Sequence, residues 1–227
     1  MAGPAQLWVI VPAFNEGPAI AGVVGALRER DYEVVVIDDG SADDTSIAAA
    51  RAGATVLRHP FNLGQGAALQ TGIMFALARG ATEIVTFDAD GQHDPDDIAT
   101  LRTVREHSGC DVVLGSRFLG SAPGMPASRR ILLRFAATWT RLVHGLDLTD
   151  AHNGLRLLSR HAAERLRITH NRMAHASEIV AQIGTLGLRW AEAPVHVSYT
   201  AYSLRKGQRN GDALHIAIDL LAGRLFR

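Results

Sequence analysis

The chain has 227 residues, 47% hydrophobic and 20% charged, enough for one large domain with a buried core. Its 23 basic side chains equal its 23 acidic ones, so the formal net charge is zero and no nucleic-acid partner is expected. The single cysteine, Cys110, excludes an intrachain disulfide framework and a cysteine-rich zinc site, and it suits a reducing cytoplasm.

The N-terminus lacks a basic flank and a long apolar stretch, so no signal peptide is expected. No apolar run reaches the ~18 residues of a membrane-spanning helix. Work at a membrane would then be done from its surface or through a partner.

Residues 7–11 form a short apolar strand stopped by Pro12. The loop Pro12-Ala13-Phe14-Asn15-Glu16 leads to Pro18, which suits a first helical turn, and Ile20, Val23, Val24 and Leu27 recur at helical spacing. Residues 34–37 are a second buried strand ending in Asp38-Asp39-Gly40-Ser41; Ser41 with Asp44 has the form of a capping box. The next helix ends near Gly53, residues 55–57 are a third strand, and the loop Phe61-Asn62-Leu63-Gly64-Gln65-Gly66 feeds a helix closing at Gly80. The β-branched run from Ile84 to Phe87 is a further strand, ending in Asp88-Ala89-Asp90-Gly91-Gln92. Asp94 and Pro95 open a helix, and residues 111–114 are a strand ending in Gly115-Ser116-Arg117.

Strands therefore alternate with helices, the pattern of a largely parallel sheet covered on both faces. The acidic, glycine and proline residues follow the strands, which puts loops 12–16, 38–41, 88–92 and 115–117 on one rim, where open α/β sheets bind ligands. Taken singly, each has a plainer explanation: Pro12 stops a strand, Asp38 and Asp39 cap a helix, Gly64 and Gly66 make a turn. Four strand ends of the same chemistry favour a site. Asp88 and Asp90 repel unless a cation lies near, and oxygen ligands suit Mg2+ or Mn2+, the former usually bound by carboxylates plus substrate phosphates.

The second half is less regular. After a turn-rich loop at 121–126, residues 131–146 read as a helix whose apolar face is Ile131, Phe135, Trp139, Leu142, Val143 and Leu146. Arg129, Arg130, Arg134 and Arg141 flank it; it either lies in a membrane interface or packs on the sheet with a solvated basic edge. A loop at 150–154, a strand at 155–158, a helix opened by Ser177, two late strands at 188–190 and 195–199, a basic stretch at 199–211 and a final amphipathic helix with Leu214, Ile218, Leu221 and Leu225 complete the chain.

The motifs Val9-Ile10-Val11-Pro12-Ala13-Phe14-Asn15-Glu16, Val36-Ile37-Asp38-Asp39-Gly40-Ser41, Asn62-Leu63-Gly64-Gln65-Gly66 and Asp88-Ala89-Asp90-Gly91-Gln92-His93-Asp94-Pro95 resemble glycosyltransferase family 2. The dolichyl- or polyprenyl-phosphate sugar synthases are the nearest branch, and Asn153-Gly154-Leu155-Arg156 and Tyr202-Ser203-Leu204-Arg205-Lys206-Gly207-Gln208 extend the likeness.

The resemblance implies a GT-A fold, a Rossmann-like α/β/α sandwich with a mostly parallel sheet. It implies one domain over 1–227, with a nucleotide-sugar half at 1–120 and an acceptor half at 121–227. Pro12, Ala13, Phe14, Asn15, Glu16, Ile37, Asp38, Asp39, Gly40, Gly64, Gly66 and Ala67 would line the donor pocket. Phe14 stands where many relatives carry tyrosine and keeps a ring for stacking. Asp88, Ala89, Asp90 and Gln92 would hold the metal and diphosphate. Arg117, with Arg129 or Arg130, would approach phosphate, and Arg205 and Lys206 would close over the diphosphate.

The implied donor is a nucleotide-sugar of the GDP-mannose or UDP-glucose type and the acceptor a polyprenyl phosphate, at the cytoplasmic face of a membrane. A small membrane-protein subunit is a further implied partner, because relatives without spanning helices often depend on one. A lipid phosphate is already anionic near neutral pH and needs little or no general base. A saccharide hydroxyl, the alternative acceptor, would need one among Asp150, His152 and Glu178. A sugar-1-phosphate nucleotidyltransferase is a weaker match, because loop 12–16 lacks that class's basic character; a non-catalytic nucleotide-sugar-binding subunit is the remaining reading.

Overall fold

The computed structural model describes residues 6–171 and 174–199. Its elements are β1 (Leu7–Ala13), α1 (Gly17–Arg28), β2 (Glu33–Asp38), α2 (Thr45–Arg51), β3 (Thr55–Arg58), α3 (Gln65–Ala78), β4 (Glu83–Thr86), α4 (Asp97–Ser108), β5 (Val112–Ser121), α5 (Ala127–His144), β6 (Arg156–Ser159), α6 (Arg160–Arg165), α7 (His175–Thr185) and β7 (Trp190–His196).

Among the described residues the strands make one sheet in the order β3-β2-β1-β4-β6-β5-β7. Pairings between β1 and β2, β2 and β3, β1 and β4, and β5 and β7 are parallel; β6 runs antiparallel to both its neighbours, β4 and β5.

β1 is buried along its whole length, as an inner parallel strand should be. Its side chains alternate between two cores. Trp8 and Ile10 join the core under α3, α6 and α7, while Leu7, Val9 and Val11 join the one under α1, α2 and α4. The result is the expected three-layer α/β/α sandwich.

Several expected boundaries move. β4 ends at Thr86 rather than Phe87. α2 begins at Thr45 with no side-chain cap; the Ser41 hydroxyl instead accepts from the Asn15 N–H at 2.9 Å. α4 starts at Asp97, because Asp94 forms a turn that accepts the Asp96 N–H at 3.0 Å.

The two late strands are one, β7. Ala193 and Val195 face inward while Pro194 and His196 face out, so a single alternation runs through the proline. Pro194, which has no N–H to give, is tolerated because β7 is an edge strand paired with β5 alone. The basic stretch from Thr200 onward and the final amphipathic helix lie outside the described residues.

α5 divides the apolar face expected of it. It buries Leu133, Ala136, Ala137 and Thr140, and it packs against α7. Ile131, Phe135 and Leu142, part of the expected apolar face, are 70%, 59% and 76% exposed. Leu146 is buried, but it lies beyond the helix, after Gly145 turns left-handed at φ 69°. The helix carries two apolar arcs, and the one with small alanines allows the closer approach.

Gly72 of α3 lies on β1 so closely that a Cβ there would stand 2.3 Å from Ile10 Cγ2. Ile10 is fully buried and cannot yield. Gly72→Val should therefore destabilise the fold by roughly 1–3 kcal/mol through overpacking, read as a shift of the urea unfolding midpoint.

Candidate active site

β1, β2, β4 and β5 all leave the sheet at one edge. Because β6 is antiparallel, loop 150–154 enters at that same edge. The rim thus gathers the segments 12–16, 38–41, 87–92 and 150–154; residues 115–117, expected to follow a strand, lie within β5, which runs on to Ser121.

Asp88 and Asp90 follow β4, where the Phe87 N–H still bonds the Ile10 carbonyl at 2.9 Å. His93 Nε2 lies 3.1 Å from Asp88 Oδ2, and the Gln65 amide donates to Oδ1 at 3.4 Å. Gly154 leaves room for this carboxylate: a Cβ there would sit 2.2 Å from Oδ2. Arg156, buried on β6 opposite Thr86, contributes a nearby positive charge. Burial opposes ionisation of Asp88, but the His93 hydrogen bond and the fields of His93, Arg156 and His175 outweigh it and hold its pKa below the ordinary value.

Asp90 behaves in the opposite way. Burial, then the charge of Asp88, push its pKa up to about 6, with Glu16 adding to the push. The Gln92 N–H, bonded to Asp90 Oδ1 at 3.0 Å, and His93 only partly oppose this. Asp90 also lines a cleft of about 510 Å3 between Pro18, Ala19, Gly22 and Val23 of α1 and residues Phe87, Gly91, His93 and Pro95.

This donor set fits a divalent oxygen-seeking cation. One carboxylate is held ionised and its neighbour is charged only against repulsion, the imbalance that a bound cation relieves. Among the described residues no group of three His, Cys, Asp or Glu side chains forms a complete ligand cage. The remaining ligands would come from water and substrate oxygens, the usual arrangement for Mg2+.

The donor-side residues divide into two sets. Phe14 is 40% exposed. Pro12 and Ala13 are buried at the end of β1, while Glu16 is held by its N–H to Thr45 Oγ1 at 2.8 Å. Asn15, at φ 53°, accepts the Ala42 N–H at 2.8 Å, locking loop 12–16 to loop 38–41.

Five residues expected to line the donor pocket have structural contacts of their own. Ile37 is wholly inside the core. Asp38, also fully enclosed, accepts from the Ser41 N–H at 2.8 Å and from the Ser46 hydroxyl. Asp39 takes His59 Nδ1 at 2.7 Å and the N–H groups of Leu63 and Gly64 at 2.9 and 2.7 Å, so its carboxylate binds loop 59–64 to the rim. Gly66 donates its N–H to the Asn171 carbonyl at 3.0 Å, and a Cβ there would meet the His170 carbonyl oxygen at 2.1 Å. Gly40, at φ 75°, admits the backbone of Phe61 at a distance no side chain would allow. Gly64 and Ala67 remain partly exposed at the start of α3.

On the acceptor side Arg117 is also enclosed. Its Nε donates to Asp150 Oδ2 at 2.6 Å, one terminal nitrogen to the Tyr199 hydroxyl at 2.9 Å and the other to the His152 carbonyl at 3.3 Å. Its side chain is 6% exposed and paired with Asp150. Arg129 is half-buried and Arg130 exposed in the first turn of α5. Arg205 and Lys206 lie outside the described residues.

Gln65, His93, Gly154 and Arg156 were not singled out as site residues in the sequence. The signal was present in the Gly-Gln-Gly and Asn-Gly-Leu-Arg runs, which place a half-buried amide and a buried guanidinium between small or apolar residues.

Residues 8–167 match the glycosyl transferase family 2 model, so the chain belongs to that family and is a glycosyltransferase with the GT-A fold. It is 31% identical to a UDP-N-acetylglucosamine–dolichyl-phosphate N-acetylglucosaminyltransferase of Methanococcus voltae, over 88% of this chain and 89% of the relative. It is 30% identical to an undecaprenyl-phosphate mannosyltransferase of Micrococcus luteus, over 84% and 82% respectively. The fold is shared with glucosyl-3-phosphoglycerate synthase of Mycobacterium tuberculosis, solved with Mn2+, UDP and glucosyl-3-phosphoglycerate. There the TM-score is 0.70 at 21% identity, covering 96% of this chain and 79% of that one.

Asp90 makes a pH prediction. Its folded pKa is raised from 3.8 to about 6, so between those values the native state holds a proton that the unfolded chain has lost. This contribution stabilises the metal-free protein as pH falls through about 6, opposite in sign to that of carboxylates held ionised. In chelator, the melting temperature of wild type relative to Asp90→Asn should rise on going from about pH 7.5 to about pH 5. Mn2+ at the higher pH should raise the melting temperature of wild type and not of the variant.

Proposed function

We propose that the protein transfers a hexose, with inversion at the anomeric carbon, from a nucleotide-sugar of the GDP-mannose or UDP-glucose type to a polyprenyl or dolichyl phosphate. The names of the two lipid-phosphate relatives support this acceptor. The Mn2+ and UDP bound by the structural neighbour support the donor and the metal.

In this reading the ring of the exposed Phe14 takes the base, and loop 12–16 is the wall of the donor pocket. Asp88 and Asp90, with Gln92 beside them, hold Mg2+ or Mn2+, which supplies Lewis-acid stabilisation of the departing nucleoside diphosphate. Asp88, kept charged by His93 and Arg156, provides a standing anion; Asp90, its pKa raised to about 6 by burial and by Asp88, gains most from an arriving positive charge. Arg129 and Arg130 meet the acceptor phosphate, and Arg205 and Lys206 meet the diphosphate.

The observation that carries the choice of acceptor is the state of the three groups able to act as a base for a hydroxyl. Asp150 is enclosed and paired with Arg117. Glu178 accepts from the N–H groups of Thr169 and His170 and from the Thr169 hydroxyl, fixing the loop before α7. His152 has its pKa lowered to about 4, by burial first and by the charges of Arg156 and Arg117, against the pull of Asp150. A base so weak is poorly matched to proton abstraction at neutral pH. A phosphate oxygen needs no such abstraction.

The outward stripe of Ile131, Phe135 and Leu142 supports a membrane-resident acceptor. Arg130, Arg134 and Arg141, all exposed, line one flank of that stripe and would meet anionic head groups. No helix among the described residues is long and apolar enough to cross a membrane. The protein would sit at the cytoplasmic face, held by this helix and by a small membrane-protein subunit where one is present.

The direct test follows radiolabelled sugar from GDP-mannose and UDP-glucose into organic-extractable lipid in the presence of Mn2+ or Mg2+. Label should enter the lipid phase, and Asp90→Asn should lower the rate by about 100-fold or more, as loss of a transition-state charge stabiliser does. Label in a water-soluble saccharide would instead identify a hydroxyl acceptor. Separately, Phe135→Asp should weaken co-sedimentation with vesicles of mixed neutral and anionic phospholipid by about tenfold or more, from the apolar area lost. Binding of the wild type should also fall with added salt.

A further inference from the structure

We infer that Tyr199 is a positioning residue that holds the Arg129 guanidinium, still charged, where the acceptor phosphate arrives. This rests on the phosphate-acceptor reading above and names a further residue of that site.

Tyr199 follows β7 and is placed by the aspartate loop itself. Val197 bridges to His93, and the Ser198 N–H donates to the Gln92 carbonyl at 2.8 Å. The next residue therefore has a defined position relative to Asp90. From there Tyr199 reaches two arginines at once. Its hydroxyl accepts from Arg117 at 2.9 Å, and its ring lies under the Arg129 guanidinium at 5.4 Å from the ring centre. The turn at Gly124, φ 78°, packs against it, with Tyr199 Cβ 3.7 Å from where a Cβ would stand.

The two arginines differ in what balances them. Arg117 is matched by the enclosed carboxylate of Asp150. Arg129 makes no salt bridge among the described residues, and the face of an aromatic ring is its neighbour instead. A ring face attracts a cation through its quadrupole without carrying a counter-charge. A carboxylate in the same place would fix Arg129 equally well but cancel its charge, leaving little for an incoming phosphate. The Arg117 hydrogen bond fixes the tilt of the ring, so the enclosed pair Arg117 and Asp150 sets the direction of Arg129 through Tyr199.

The experiment measures KM and kcat for a short-chain polyprenyl phosphate in wild type, Tyr199→Phe, Tyr199→Leu, Arg129→Ala and the Tyr199→Leu, Arg129→Ala double variant. Tyr199→Leu should raise acceptor KM roughly fivefold while leaving donor KM and kcat unchanged. Tyr199→Phe, which keeps the ring, should raise it less. In the Arg129→Ala background Tyr199→Leu should have no further effect, because its partner is gone. Should the leucine variant fail to fold, phenylalanines of increasing fluorination at position 199 withdraw ring charge at nearly constant shape, and acceptor KM should climb along that series. Additive single effects, or a flat fluorination series, in an enzyme that does transfer to lipid phosphate overturn the role of Tyr199 alone. A wild-type enzyme that neither binds nor glycosylates the prenyl phosphate overturns the acceptor reading, and this inference with it.

Discussion

The structure depends on two carboxylates being kept close together at the edge of a sheet and made unlike each other. Asp88 has His93 against one oxygen, Gln65 near the other and the buried charge of Arg156 behind it. Asp90 has only the Gln92 N–H and a share of the His93 field, and it faces the charge of Asp88. A symmetric pair would titrate together and leave the site half-protonated over a wide pH range. Here one carboxylate is held ionised and the other carries its charge against burial and repulsion, an imbalance that a cation would relieve. Divergent environments for adjacent acids are a recurring feature of functional sites.

This asymmetry follows from topology. Were β6 parallel to β4 and β5, the chain preceding it would enter at the far edge of the sheet. Being antiparallel to both, it starts at the rim where β4 ends, so loop 150–154 runs directly beside Asp88. Thr86 secures the approach by donating its hydroxyl to the Gly154 carbonyl at 2.6 Å. Gly154 is then compulsory for space, and the second residue after it, Arg156, lies within the field of Asp88. One reversed strand supplies both the gap for the carboxylate and the charge that keeps it ionised.

The first half of the fold was legible because its strands are long apolar runs and its polar residues cluster at one kind of boundary. Asp88 and Asp90 stood out for that reason. What the sequence conceals is pairing at a distance. Arg117, expected near phosphate, and Asp150, one of three candidate bases, pair with each other across 33 residues of sequence, which no local pattern reveals. Asp39 reads as a ligand group until His59, Leu63 and Gly64 are seen to take its oxygens. Ile37, Asp38 and Asp39 share a motif, and all three are buried, because β2 is covered on both faces. α5 misleads for a different reason: both arcs of the helix are apolar, and periodicity says that a helix has apolar faces without saying which one the sheet will cover.

The same division between matched and unmatched charge explains the layout of the acceptor side. Buried arginines in this protein are balanced by carboxylates, Arg117 by Asp150, with Arg156 stabilised by Asp88 and Asp150 together. Those charges shape the interior and are not available outside it. The first turn of α5 carries Arg129 and Arg130 at the end near Tyr199, while the exposed Ile131, Phe135 and Leu142 run along the helix away from it. From Ile131 to Leu142 the stripe extends about 16 Å at the rise of an α-helix. In the proposed reaction a lipid phosphate must bring its anionic end to the rim while its hydrocarbon stays among apolar groups. A helix with guanidinium groups at its start and an apolar stripe along its length would meet both demands on one element, and because Tyr199 is fixed to the aspartate loop, that element would be held in register with the carboxylates proposed to receive the donor.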